Sequence, residues 1–139
     1  MRKFVSRSSL IFCFVSFSFL SFFSISSNPK SCKPNSEETK IEILLKTIGN
    51  FNGSFIRNGE THLAKDAENH LRYKLKEAKN SFFAPDPKDW TAKLFIDKIA
   101  TKSFLSGTPY KIRFPNGKEV PSSVWLYDEL KKIDSCQSD

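Results

Sequence analysis

An α+β fold, with about four amphipathic helices packed against one small antiparallel hairpin around a single core, is what the sequence predicts. Three observations lead there. Four segments repeat apolar residues with the 3.6-residue period of a helix, one short segment alternates with the period of a strand, and the 139 residues hold no internal repeat. With five glycines, seven prolines and 39% apolar residues the chain is neither collagenous nor disordered. It is also too short for a dinucleotide-binding domain joined to a substrate domain, or for an eight-stranded α/β barrel.

The first helix follows a polar, proline-punctuated connector over residues 27–36. Asn35 is the expected cap and Glu38 its capping-box partner, after which Ile41, Leu44, Leu45 and Ile48 fall on one face and Gly49 ends the run. Phe55 and Ile56 anchor an extended piece, and Asn58-Gly59 a turn. A second helix is expected over residues 63–78, with Leu63, Ala67, Leu71, Leu75 and Ala78 on one stripe. Its acids Asp66 and Glu68 come early and Lys74, Lys76 and Lys79 late, in the sense that the helix dipole favours.

A proline-broken loop over residues 80–89 leads to a third helix, capped by Thr91 and carrying Phe95, Ile96, Ile99 and Ala100. Trp90 ahead of the cap is placed to staple onto Phe95. Tyr110-Lys-Ile-Arg-Phe114 then alternates strictly, Asn116-Gly117 reverses the chain, and residues 118–120 return as the partner strand. Pro121 stops that strand, Ser122 offers a cap, and Val124, Trp125, Leu126, Leu130 and Ile133 belong to the last helix. One globular domain over residues 37–136, with a short tail at 137–139, is the resulting organisation.

Ahead of the domain, residues 1–26 carry Arg2, Lys3 and Arg7 and no acid. They then run through a phenylalanine-rich stretch that ends at the small residues Ser24 and Ser26. A cationic start, an apolar middle and a small-residue exit form the pattern of a secretory signal peptide, so cleavage near Ser26 or Ser27 is expected. The stretch is short and serine-laced for a span of ~20 residues, which ranks an uncleaved anchor below the leader. Removing the leader takes three positive charges out of the net +7. The remaining basic residues alternate with acids as on solvated helix faces, so nucleic acid ranks low as a partner.

An exported chain sits in an oxidising space, periplasmic or secreted. Cys13 leaves with the leader, and Cys32 and Cys136 remain near the two ends of the domain as a disulfide candidate. Closing a loop of roughly 100 residues is worth up to about 4.7 kcal/mol in the chain-entropy picture. The rival is a lipoprotein acylated at Cys32. Pro29-Lys30-Ser31 lacks the apolar-then-small approach that such processing favours, which ranks it second.

Four motifs, Phe55-Ile-Arg-Asn-Gly59, His70-Leu-Arg-Tyr-Lys74, Ser106-Gly-Thr-Pro-Tyr110 and Val124-Trp-Leu126, run in the same order as in a family of small exported bacterial proteins catalogued as a domain of unknown function, which the chain resembles from residue 37 to 133. The resemblance implies an exported single domain and carries no activity. The chain departs from the family at His62, where an aromatic residue is usual, and at Leu63, where a small helix-capping residue is usual.

Within those motifs the candidate binding residues are Arg57, Asn58, His70, Arg72, Ser106 and Tyr110. Arg57 and Asn58, in a glycine-ended turn, could offer a guanidinium fork and backbone N–H groups to an anion, or simply form the turn. His70 reads first as a core histidine bonded to a backbone carbonyl and second as a general base, which would need a nucleophile in reach. Ser106 is the hydroxyl to test, with Asp66 as third member of a triad, although it lacks the Gly-x-Ser-x-Gly elbow. Ser106-Gly-Thr-Pro-Tyr110 reads as a turn whose N–H groups and Tyr110 hydroxyl could grip a polar ligand.

No metal site is expected, because His62 and His70 would lie about 12 Å apart along a helix and the cysteines lack ligand spacing. No phosphate-cradling glycine loop occurs and no cofactor is expected. The functional expectation is an exported binding module for an envelope protein or an anionic envelope ligand, with no stable membrane span after leader cleavage. The alternative is a small hydrolase or transferase using His70 with Glu60 or Asp66.

Overall fold

The computed structural model describes residues 34–135. The leader, Cys32 and Cys136 lie outside the described residues, and with them the proposed bridge. Helix α1 (Glu37–Gly49) is followed by strands β1 (Ser54–Arg57) and β2 (Glu60–Leu63), helix α2 (Ala64–Lys79) and a single 3₁₀ turn (Pro87–Asp89). Helix α3 (Ala92–Phe95) then widens into a π-turn (Ile96–Ala100). Strands β3 (Lys111–Arg113) and β4 (Glu119–Pro121) and helix α4 (Ser122–Asp134) complete the chain.

The β component is larger than one hairpin. Four strands in the order β2-β1-β3-β4, all neighbours antiparallel, form one sheet. The expected hairpin is β3–β4. A second, β1–β2, turns tightly through Asn58 and Gly59, both at positive φ (52° and 86°), the backbone that a two-residue hairpin of matching twist requires. The two hairpins join where Phe55 pairs with Ile112. That pairing spans half the chain and leaves no local periodic signal. Strand β2 carries no strand signal of its own, because its four residues are mostly exposed and show no apolar alternation.

Helix starts also differ from expectation in two places. Ser36, not Asn35, caps α1, accepting from the Thr39 N–H at 3.2 Å. Glu37 is then free to act at a distance: its carboxylate accepts from the Ala92 N–H at 2.7 Å and so caps α3 across the fold. In α4 the capping position belongs to Pro121, and Ser122 sits inside the first turn. The Ser122 hydroxyl donates to the Ala100 carbonyl at 2.7 Å, and its N–H donates to the Tyr110 carbonyl at 2.9 Å. One buried serine therefore ties α4 to the end of the π-turn and to the entry of β3.

The core lies between the inner face of the sheet and the helices. Leu44, Ile48, Phe95, Ile96, Ile112 and Leu126 are fully enclosed. Burying each such side chain contributes roughly 1.5–3 kcal/mol relative to leaving it in water. Phe51 meets Phe55 and Phe114 edge-on, at ring centroids 5.7 and 5.4 Å away, and lies against Trp125 at 4.9 Å. This cluster closes one end of the core. The other end, beneath β1 and β2, is left open as a cavity.

Candidate functional site

Strand register decides which side chains of the sheet reach that cavity. Phe55 pairs with His62 on one side and with Ile112 on the other, so these three share a face. With the strand period of two, Arg57 lies on that face beyond Phe55, and Tyr110 lies on it beyond Ile112. Helix α2 covers the face with the stripe Asp66, Ala67, His70 and Leu71, spaced one turn apart. Ala100 from the π-turn and Ser122 and Leu126 from α4 close the far side, leaving a cavity of about 270 Å³ with Ile48, Phe55, Leu71 and Leu126 among its apolar lining. The π-turn helps to shape this wall: the Thr101 hydroxyl donates to the Ile96 carbonyl at 2.6 Å, five residues back, and holds the wide turn. Such turns occur often at functional sites.

Apart from Ser122, the polar side chains around this apolar floor have no hydrogen-bond or ion-pair partner at bonding distance among the described residues. Of the described arginines, Arg72 and Arg113 are each bonded to carboxylates, and Arg57 has no carboxylate within 4.0 Å. The Nε2 atom of His62 is buried and makes no hydrogen bond among the described residues. The Glu60 carboxylate, 3.9 Å from it, is too far to bond. The Tyr110 ring is buried, and its hydroxyl likewise has no partner among the described residues. A buried polar atom without a partner is costly, so His62 Nε2, facing the same space as the unbonded Arg57 and Tyr110 polar atoms, is one that a ligand or solvent completes.

Burial, then the positive charges of Arg57 and Lys74 and the neighbouring His62, hold the His70 imidazole below its ordinary value, favouring the neutral ring. Burial pushes the Tyr110 hydroxyl upward, with Arg57 opposing, so it stays a neutral donor. The two rings meet edge-on with centroids 6.4 Å apart. Lys74 lies 5.2 Å from the Tyr110 ring centroid and donates to the carbonyls of Ile99 and Lys102, both at 2.7 Å. Burial draws its ammonium below the usual lysine value. Lys74 thus fixes Tyr110 and the end of the π-turn from behind.

Arg57, His70 and Tyr110 converge, then, and the other three candidates do not. Arg72 is two residues from His70, so its side chain leaves α2 about 200° around the axis and faces α1. There it holds Glu42 with two bonds of 2.7 Å and Glu68 with its Nε at 2.9 Å. Asn58 and Ser106 bind each other: the Ser106 hydroxyl donates to Asn58 Oδ1 at 2.8 Å and accepts from the Thr108 N–H at 3.3 Å. That bond pins the loop carrying Gly107, at φ 68°, onto the β1–β2 turn. Ser106 is not in the cavity wall, so the Ser106, His70, Asp66 triad is not assembled.

His62, Asp66 and Ser122 are the polar cavity residues outside the candidate binding set, Asp66 entering the sequence reading only as a partner for His70 in catalysis. No local periodicity marks His62 as a cavity residue; its pairing with Phe55 across the β1–β2 hairpin places it there. His62 sits on β2, so the spacing along a common helix that argued against its meeting His70 does not apply. Among the described residues no group of three His, Cys, Asp or Glu is placed to hold a metal ion. His70 makes no bond to a backbone carbonyl among the described residues, unlike a histidine held in a core for structure. Leu63, at the N-cap of α2, supplies no side-chain acceptor. Among the described residues no helix is long and apolar enough to cross a membrane.

Residues 35–134 match the model of a family of unknown function, DUF5329. The chain is also similar to the uncharacterized protein YfeK of Salmonella typhimurium, with 36% identity over 75 residues that cover 53% of this chain and 57% of that protein. The matched segment thus spans little more than half the length of that curated relative. No solved structure matches the chain.

Proposed function

The chain belongs to the DUF5329 family of unknown function, and from that premise we propose that it is an exported, non-enzymatic binding protein whose cavity takes a small ligand with an anionic group. One observation carries this reading: Arg57, the buried His62 Nε2 and the Tyr110 hydroxyl face one apolar-floored cavity with no protein partner to satisfy them. An unpaired guanidinium beside an imidazole nitrogen and a phenolic O–H is suited to a carboxylate or a phosphate, which accept in a fork. The apolar floor suits an aliphatic or aromatic remainder. The leader pattern over residues 1–26 supports export, and Cys32 and Cys136 support an oxidised product in that compartment.

Titration of the purified protein with small carboxylates and with inorganic phosphate, followed by calorimetry and by backbone amide NMR, tests the reading. Shifts clustered on residues 55–62, 66–71 and 110, abolished in Arg57→Met, are expected. Turnover of an ester, amide or glycoside that disappears in His70→Ala would overturn it in favour of catalysis. The intact mass of the protein recovered from its host tests the export component: a chain beginning near Ser27 without free thiols is expected, and one beginning at Met1 in the cytosol sinks that part.

A further inference from the structure

Asp66 also lines the cavity, on the turn of α2 before His70, and it is exposed and without an ion-pair partner among the described residues. Arg57 and Asp66 therefore present opposite charges to one space while pairing neither with each other within 4.0 Å nor with anything else described. Other charged side chains among the described residues are also unpaired; what sets these two apart is that both line the same cavity, whereas the cation Arg72 is bonded to Glu42 and Glu68.

Resting on the binding reading above, we propose that the ligand is dipolar: a free α-amino acid with an apolar side chain. Its carboxylate meets Arg57 with the His62 and Tyr110 donors, its ammonium meets Asp66 at the mouth, and its side chain covers Leu71, Phe55 and Leu126. The charges select this class by exclusion. A plain anion would satisfy Arg57 but meet the like charge of Asp66, and a plain amine would satisfy Asp66 but meet Arg57. A ligand bearing both charges satisfies both. The cavity, about 270 Å³, falls below the ~300–1,000 Å³ of drug-sized sites, which confines the ligand to the size of a single metabolite. At depth the one polar side chain of the lining, Ser122, already donates its hydroxyl to the Ala100 carbonyl, and its neighbours Ile48, Leu71 and Leu126 are apolar, so leucine-like and phenylalanine-like side chains fit best.

Three probes of one carbon skeleton separate the components: leucine, 4-methylpentanoate, which lacks the ammonium, and 3-methylbutylamine, which lacks the carboxylate. Leucine is expected to bind most tightly. Asp66→Asn is expected to weaken leucine roughly 10- to 100-fold while leaving 4-methylpentanoate unchanged or tighter, and Arg57→Met to weaken both. Asp66 makes no side-chain bond, so the Asn variant keeps the fold, and its melting temperature serves as the control. If 4-methylpentanoate binds the wild type as tightly as leucine, or Asp66→Asn leaves leucine unaffected, the dipolar ligand is overturned while the binding reading stands. If neither carboxylate nor phosphate shifts any cavity amide, the binding reading itself fails and takes the inference with it.

Discussion

Helix α2 has two polar faces, and they have opposite histories. On the face toward α1, Glu68 is almost wholly buried, yet its carboxylate accepts from Lys65 at 2.6 Å and from Arg72 at 2.9 Å, and Arg72 reaches on to Glu42. On the face toward the sheet, Asp66 and His70 look into a cavity with Arg57, His62 and Tyr110, and none of these side chains has a hydrogen-bond or ion-pair partner at bonding distance among the described residues. The first face holds two helices in register. The second leaves its polar groups without such pairs among the described residues. Packing agrees with this division: Gly49 of α1 lies so close to Glu68 that a Cβ there would overlap its carboxylate, so the paired seam also relies on a residue without a side chain. Charge that the fold pairs holds α1 to α2, and charge left open around the cavity is what the proposed binding role would use.

The comparison can be broken most forcefully at Arg72. Arg72→Met leaves Glu68 buried with Lys65 alone and releases Glu42, and should destabilise by about 1–3 kcal/mol, discounted for the half-exposed guanidinium, with cavity binding unchanged. Denaturant midpoints measure this, and a loss below about 0.5 kcal/mol would reduce the seam to an ordinary surface pair. The same pairs predict an acid limb. The hydrogen bonds from Arg72 to Glu42, and from Lys65 and Arg72 to Glu68, hold both carboxyls below the ordinary 4.5. Their contribution is therefore complete above that value and is lost as pH falls through the lower, folded values. In Arg72→Met that limb should flatten.

Lys74 tests the wall between the two regions. Lys74→Met removes two charge-assisted bonds to the carbonyls of Ile99 and Lys102 and is expected to destabilise by about 1–2 kcal/mol. It should also weaken ligand binding, because Tyr110 and Ala100 lose their support. An unchanged affinity would show that the π-turn holds its shape without Lys74.

A smaller effect is expected at His70. Its folded value lies below 6.5, so the unfolded chain takes up the proton first and stability declines as pH drops from about 6.5 toward the folded value, then levels. His70→Gln should remove this slope, seen as equal thermal midpoints on either side of 6.5. An undiminished slope would assign it to another group. Smallest of all should be the stability effect of Arg57→Met, within about 0.5 kcal/mol, because nothing in the fold relies on that guanidinium. A larger loss would mean that Arg57 is structural and that the two faces of α2 do not differ as argued.

How much of this was legible beforehand depends on the range of the interaction. The stripes of α1 and α4 were legible: Ile41, Leu44, Leu45 and Ile48, and Trp125, Leu126 and Leu130, are all buried. So was the turn at Asn58-Gly59, because only a positive φ closes so short a hairpin. Leu63 was misplaced, ending 71% exposed at the edge of β2 instead of starting a buried stripe. Arg72 was chosen as a binding residue from its motif, and nothing local could reveal that Glu42, thirty positions earlier, would claim it. His62 was set aside for want of a neighbour that only strand pairing supplies.

The chain's order of letters determined on its own the α+β class, the helices, the tight turns and the family to which residues 35–134 belong, because periodicity, caps and positive-φ turns act within one or two turns of backbone. Which charges would be quenched and which left open was decided only by the tertiary structure. The pairing of Phe55 with Ile112 and the docking of α2 against α1 bring together groups tens of residues apart. An ionic or hydrogen-bonded partner is a matter of distance in space, to which separation along the chain gives no guide.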